Sequence, residues 1–203
     1  ADGATIAVTS VTPTAAQNPR EFQISFPRQE AEGTYAVAIG PAVLDTAGNT
    51  MNQDGDSNNG EPDDIWNGAF TIDSTGPHGV SLSLRGVQNT PVTQFDVILS
   101  EPLAAESIGT EDVAVTGPTG PVAVTAVALT DNDTLRVTLA PQTAEGDFDV
   151  MAGPDITDAA GNPMDQDKDG VGGELGEDAF QATFTQLFPD LQTLRVGHPA
   201  EAR

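Results

Sequence analysis

Apolar and polar residues alternate in short runs along most of this chain. In Gln94-Phe95-Asp96-Val97-Ile98-Leu99 the apolar positions Phe95, Val97 and Leu99 fall on one side, and Leu135, Val137 and Leu139 do the same in Thr134-Leu135-Arg136-Val137-Thr138-Leu139. That period of two is what a sheet with one wet face requires. Further runs at 80–85, 93–100, 112–116, 122–130, 134–140, 146–152 and 180–185 are rich in Val, Leu, Thr or Phe and end at Gly, Pro, Asn or Asp. Each predicts a strand closed by a turn. No long window carries a helical period, so the pattern predicts an all-β fold and, from seven short strands, a β-sandwich.

The pattern occurs twice. At an offset of 113 positions Gly33 falls on Gly146, Tyr35 on Phe148, Val37 on Val150 and Gly48-Asn49 on Gly161-Asn162. Phe22, Ile24 and Phe26 fall on Leu135, Val137 and Leu139, and one inserted residue near Gly176 brings Asp64 onto Asp178, Trp66 onto Phe180 and Phe70 onto Phe184. A repeat of this length governs the domain reading. Residues 73–185 read as a complete module and 1–72 as a partial one, with strands expected at 5–12, 21–27, 33–39 and 69–73 and with the early strands missing. A half-sandwich leaves edges and an apolar face uncovered, so the missing strands are expected either to have been lost, as by processing, or to be supplied by another segment or a second chain. Residues 186–203 form a tail or the start of a further segment. The tail is one candidate to fill the gap, as a strand around Leu191–Val196 or a short helix opened by Pro189. The aligned Trp66, Phe180, Tyr35 and Phe148 are expected in the core.

Charge then changes the picture. The chain carries 31 Asp and Glu against 7 Lys and Arg, a formal net charge of −24. Thirteen of those acids fall within two loops, 45–64 and 158–178, which occupy matching places in the two copies. Carboxylates this dense repel one another, so a folded loop that keeps them needs a cation. In the second loop Asp165, Asp167 and Asp169 stand at alternate positions, Gly170 follows, and Val171 supplies the expected backbone carbonyl. Glu174, Glu177 or Asp178 would close the shell, since the Glu that ends an EF-hand loop is replaced here by Gly176. In the first loop Asn52 stands for the first Asp, leaving Asp54, Asp56 and the Asn58 carbonyl, with Glu61, Asp63 or Asp64 to close. All-oxygen donors without His or Cys favour a hard ion, Ca2+ before zinc or copper. Asp45 and Asp158 open D-x-x-G-N elements and are read as turn caps, because Asp hydrogen-bonds its own backbone two residues on.

Other chemistry is excluded or unsupported. Without cysteine there are no disulfides or thiolate sites. No apolar run approaches the roughly 20 residues that span a bilayer, and so acidic a chain is repelled by nucleic-acid phosphates. His78 and His198 have no nucleophile beside them in a recognisable motif, and no nucleophile–base set points to an enzyme. Asn132-Asp133-Thr134 fits a glycosylation sequon but reads first as a hairpin turn.

The runs Leu99-Ser100-Glu101-Pro102-Leu103, Gly146-Asp147-Phe148-Asp149-Val150, Ile156-Thr157-Asp158-Ala159-Ala160-Gly161-Asn162 and Ala182-Thr183-Phe184-Thr185 resemble the bacterial immunoglobulin-like repeats of S-layer and other large surface proteins. Gly33-Thr34-Tyr35-Ala36-Val37 and Leu44-Asp45-Thr46-Ala47-Gly48-Asn49 repeat the likeness in the first copy. The resemblance implies tandem immunoglobulin-like sandwiches, an extracellular or cell-surface location, neighbouring modules of the same protein as partners, and a non-catalytic role. The acidic insertion after Asn162 departs from plainer members, whose final strand follows sooner. The expected function is a calcium-binding structural or adhesive module, with a carbohydrate-binding or enzyme-accessory module as the alternative.

Overall fold

A strand that hides every second side chain leaves the intervening ones to water, so runs of this kind pair into ladders and stack face to face. The computed structural model describes residues 3–15 and 20–189, and the chain divides into two compact units, Ala1–Ser74 and Thr75–Arg203. The fold is an all-β sandwich architecture. Among the described residues the only helical pieces are two single 3-10 turns, Ala105–Ser107 and Thr110–Asp112.

The first unit holds β1 (Ser10–Pro13), β2 (Phe22–Ser25), β3 (Gly33–Ile39) and β4 (Trp66–Ile72). They form two separate antiparallel pairs. β1 meets β2 with Ser10 opposite Ser25, and β3 meets β4 from Gly33 opposite Ile72 to Ile39 opposite Trp66.

The second unit holds β5 (Gly79–Leu82), β6 (Val87–Gln88), β7 (Gln94–Leu99), β8 (Val113–Gly117), β9 (Gly120–Val122), β10 (Val124–Asp131), β11 (Thr134–Leu139), β12 (Gly146–Ala152) and β13 (Phe180–Gln186). One sheet runs in the order β10-β11-β7-β5 and the other β6-β13-β12-β8-β9. Phe95, Val97 and Leu99 of β7 and Leu135, Val137 and Leu139 of β11 face one core together with Val113, Val115, Phe148, Val150 and Phe184 of the opposite sheet. The rings of Phe148 and Phe184 stack 4.9 Å apart, and Phe95 reaches across the sheets to 6.1 Å from Phe184. The core closes on a polar staple, because the fully buried Gln186 accepts from the Val92 N–H and donates to the carbonyls of Gln142 and Ala144.

The offset between copies survives in three dimensions. β3 and β12 coincide at 113 positions, β4 and β13 at 114, and β2 falls within β11 at 113, whereas β1 overlaps β10 only in part. Tyr35 stacks on Phe70 at 5.2 Å as Phe148 does on Phe184. Both copies hold a cis peptide at the matching Gly40-Pro41 and Gly153-Pro154.

Five expectations need correction. Among the described residues the second unit has nine strands rather than seven, because two- and three-residue strands such as β6 and β9 are too short to show a period. Its final strand runs through Gln186, one residue beyond the expected end. In the first unit β1 is confined to Ser10–Pro13, whereas β4 begins earlier than expected, at Trp66. Trp66 itself, expected in the core, is 43% exposed, because no strand among the described residues lies over it. The readings placed on Leu191–Val196 fall outside the described residues.

Candidate metal centre

Each acidic loop starts from a turn locked by one aspartate. Asp158 is buried, and its Oδ1 accepts from the backbone N–H groups of Ala160 and Asn162 while its Oδ2 accepts from the Asn162 side chain. Asp45 does the same with Ala47 and Asn49. The Asn49 side-chain bond, helped by the backbone donors, holds the Asp45 carboxyl below its ordinary pKa. Gly48 and Gly161 complete these turns at φ of 87° and 93°, a region that L side chains avoid. Asp45 and Asp158 thus act as caps, as their local sequence requires.

A second aspartate organises the loop that follows. Asp178 is fully buried, its Oδ1 accepting from Gln166 N–H at 2.9 Å and its Oδ2 from Glu174 N–H at 2.7 Å. Asp64, its counterpart, is equally buried and accepts from Gln53, Gly60 and Glu61. Burial is the largest single influence on the Asp64 carboxyl and pushes its pKa up, but the backbone donors together outweigh it and hold the group below its ordinary value. A carboxylate that satisfies amides on both arms of a loop is a strong local tie, because charge-assisted bonds of this type are about twice as strong as neutral ones.

Around Asp178 the second loop gathers its acids. Carboxylate oxygens of Asp165, Asp167 and Asp178 lie within 4.8 Å of one another, two of the three residues being buried. Asp165 accepts from Asp169 N–H at 3.2 Å and from Gly170 N–H at 3.0 Å. Asp167 accepts from Asp169 N–H, and Asp169 turns its own carboxylate to Val171 N–H. An ionised carboxylate has about four lone-pair sites, so Asp165, Asp167 and Asp178 all keep capacity for a further partner. Glu174 is half-buried nearby. Burial first, then the charges of Asp169, Glu177, Asp178 and Asp167, pushes its pKa up. Glu177 and Asp169 are exposed at the rim, as is the side chain of Val171.

This donor set suits a hard cation. Oxygens of three carboxylates lie within 4.8 Å of one another and all donors are oxygen, the donor type that calcium takes, at about 6–8 oxygens and about 2.3–2.6 Å. Backbone also conforms to the loop. Lys168, between Asp167 and Asp169, adopts φ of 66° and is the one described non-glycine residue at positive φ, while Gly55 takes that place in the first loop at 77°.

The first loop is arranged differently. Asn52, in the place of Asp165, donates its amide to the Asp56 carbonyl and to Asn59, and its Oδ1 accepts from Gly55 N–H. Asp54 accepts from Asp56 N–H, and Asp56 from Asn58 N–H at 2.6 Å. Among the described residues this loop contributes no triad of carboxylates like the one at Asp178. Glu61 is half-buried and Asp63 exposed. Burial, then Asp56, Asp63, Asp64 and Asp54, raises the Glu61 pKa. Amide-to-carbonyl bonds from Asn52 hold this loop where the second loop presents charge.

Sequence spacing did not reveal how the second loop is anchored. Gln166 accepts from Gly79 N–H at 2.7 Å and donates back to the Gly79 carbonyl, and Asp165 N–H donates to the Pro77 carbonyl. These bonds clip the 153–179 connection onto the chain entering β5. A glutamine flanked by aspartates reads as a spacer in sequence, and only the path of β5 gives it a partner.

No protein-family model and no curated protein matches this chain. Among solved structures it is similar to the N-terminal part of the bacterial S-layer protein SbsC, at 18% identity and TM-score 0.40. A longer structure of the same S-layer protein gives 17% and 0.39. Each match covers 54% of this chain but only 23% and 13% of those chains. Likeness at this level bears on neither function nor location. No helix among the described residues is long and apolar enough to cross a membrane.

Proposed function

We propose that the second loop binds calcium and that the protein is a structural or adhesive module of a bacterial cell-surface or secreted multidomain protein. The observation that carries this reading is the convergence of Asp165, Asp167 and Asp178 within 4.8 Å on a loop already braced by backbone donors. Asp165, Asp167 and Asp178 would be the inner ligands, with Glu174 completing the shell and Asp169, the Val171 carbonyl and Glu177 at its rim. The ion would supply charge neutralisation alone, and no step of chemistry is assigned to it. Its mechanical effect follows from the anchor bonds: a neutralised loop holds Asp165 and Gln166 against Pro77 and Gly79, stiffening the long β12–β13 connection. The first loop, with Asn52 in place of an Asp and with Asp54, Asp56, Asn58, Glu61, Asp63 and Asp64 as its donors, would bind more weakly. Fewer charges lower affinity, and extracellular modules bind at roughly 10⁻⁴–10⁻³ M. The repeated all-β build and the sequence resemblance to surface-protein repeats support the structural role. Calcium titration by calorimetry tests the reading. One endothermic or exothermic site lost in Asp165→Asn with Asp167→Asn is expected, and no saturable heat at millimolar calcium would refute it.

A further inference from the structure

The first unit repeats half of the second and leaves uncovered what the second buries. Phe22, Phe26, Trp66 and Phe70 are 49%, 39%, 43% and 37% exposed, while their counterparts Leu135, Leu139, Phe180 and Phe184 are 0%, 3%, 8% and 3% exposed. The residues are as apolar as their partners in the repeat, so the difference lies in what covers them. In the second unit the cover is β5 to β9. β7 pairs with the edge of β11 and β8 with the edge of β12, and Phe95, Val97, Val113 and Val115 close the core over the Phe148–Phe184 stack. β5 crosses Phe180 so closely that a Cβ on Gly79 would collide with its ring. Among the described residues no strand occupies the matching edges of β2 and β3.

A polar observation agrees with the apolar ones. Gln53 is the counterpart of Gln166, and its N–H donates to Asp64 as that of Gln166 donates to Asp178. The Gln166 side chain makes two bonds to the backbone of Gly79, whereas the Gln53 side chain is exposed and has no hydrogen-bond partner among the described residues. The first unit thus keeps both the hydrophobic face and the polar clip for a strand like β5.

We propose that the open face and edges of the first unit are the docking surface for a polypeptide segment with the strand pattern of residues 79–122, joined ahead of β1. The second unit shows that connection, since β9 passes to β10 across Ala123 alone. A second copy of this chain is a poorer occupant. Its strands of the required pattern lie inside its own sandwich, and two chains of net charge −24 repel one another. The inference is independent of calcium, because it rests on covered and uncovered strands.

Trp66 is the single tryptophan of the chain and reports on the face directly. The full chain is compared with the same chain carrying a copy of residues 75–122 fused ahead of Ser10, both checked as monomers by light scattering. Acrylamide quenching of Trp66 is expected to fall severalfold in the fused protein, with slower hydrogen exchange along the free edge of β3. A fused copy with Ser at the places of Phe95, Val97, Val113 and Val115 is expected to leave both unchanged, while protection of the second unit's β12 amides verifies folding throughout. Three results would overturn the proposal: Trp66 already shielded in the unextended monomer, equal quenching with and without the apolar copy, or an unextended chain that buries Trp66 by dimerising.

Discussion

Asp178→Asn removes one charge and no volume from the middle of the candidate centre. In the folded protein Asp178 is fully buried, with each carboxylate oxygen receiving a backbone N–H, from Gln166 at 2.9 Å and from Glu174 at 2.7 Å. An amide has one oxygen, so one of those N–H groups must then face an NH₂ donor. Leaving a buried donor unsatisfied costs about 1–3 kcal/mol, and relief of repulsion with Asp165 and Asp167 offsets part of this when no calcium is present. With calcium the loss is larger, because an ion held at 100 times its dissociation constant stabilises the folded state by about 2.7 kcal/mol and the variant forfeits most of it. Urea unfolding of the second unit, followed with and without chelator, separates the two parts. A destabilisation of about 1–2 kcal/mol in chelator, growing to about 3–4 kcal/mol in excess calcium, is expected. Equal unfolding of variant and wild type in both buffers would refute the assignment of Asp178 as both loop tie and ligand.

Three further outcomes follow from the same geometry. Lys168→Gly removes a side chain from a left-handed position and a positive charge from the loop, so stability should rise by about 1 kcal/mol and calcium should bind more tightly; weaker binding by calorimetry would contradict the site. Gln166→Ala cuts both bonds to Gly79 and should cost about 1–2 kcal/mol, with faster hydrogen exchange confined to 76–79 and the loop; uniform destabilisation would speak against a local clip. Stability in chelator should pass through a maximum in mild acid, read from thermal melts across pH. Glu174 and Glu61 have raised pKa values, so their folded-state penalty is present at neutral pH and lifts as they take protons. Asp64 has a lowered one, so the stability it contributes is present above its unfolded value, near 3.9, and is lost as pH falls through its folded value. A monotonic decline from pH 7 downwards would contradict those signs.

Sheet structure was legible because the second unit obeys period two without exception where it matters. Phe95, Val97 and Leu99, like Leu135, Val137 and Leu139, are all buried, and the repeat offset read from glycines and aromatics is the offset between strands. The acidic loops were legible as places where charge concentrates, but not in their internal roles. Asp165 and Asp169 look alike in sequence, yet Asp165 is buried in the cluster and Asp169 caps Val171 at the surface, a division set by the path of the loop around Asp178. Trp66 shows the other limit. Alignment with Phe180 placed it in the core, where it is not, because burial is a property of the strands that lie across a residue, and no described residue of the first unit supplies them.

The most direct test of the calcium assignment is a crystal structure grown in millimolar calcium, with anomalous scattering used to find the ion. The account predicts a peak coordinated by carboxylate oxygens of Asp165, Asp167 and Asp178, with the Gln166–Gly79 bonds intact. An ordered second loop whose carboxylates enclose no ion under those conditions would contradict it.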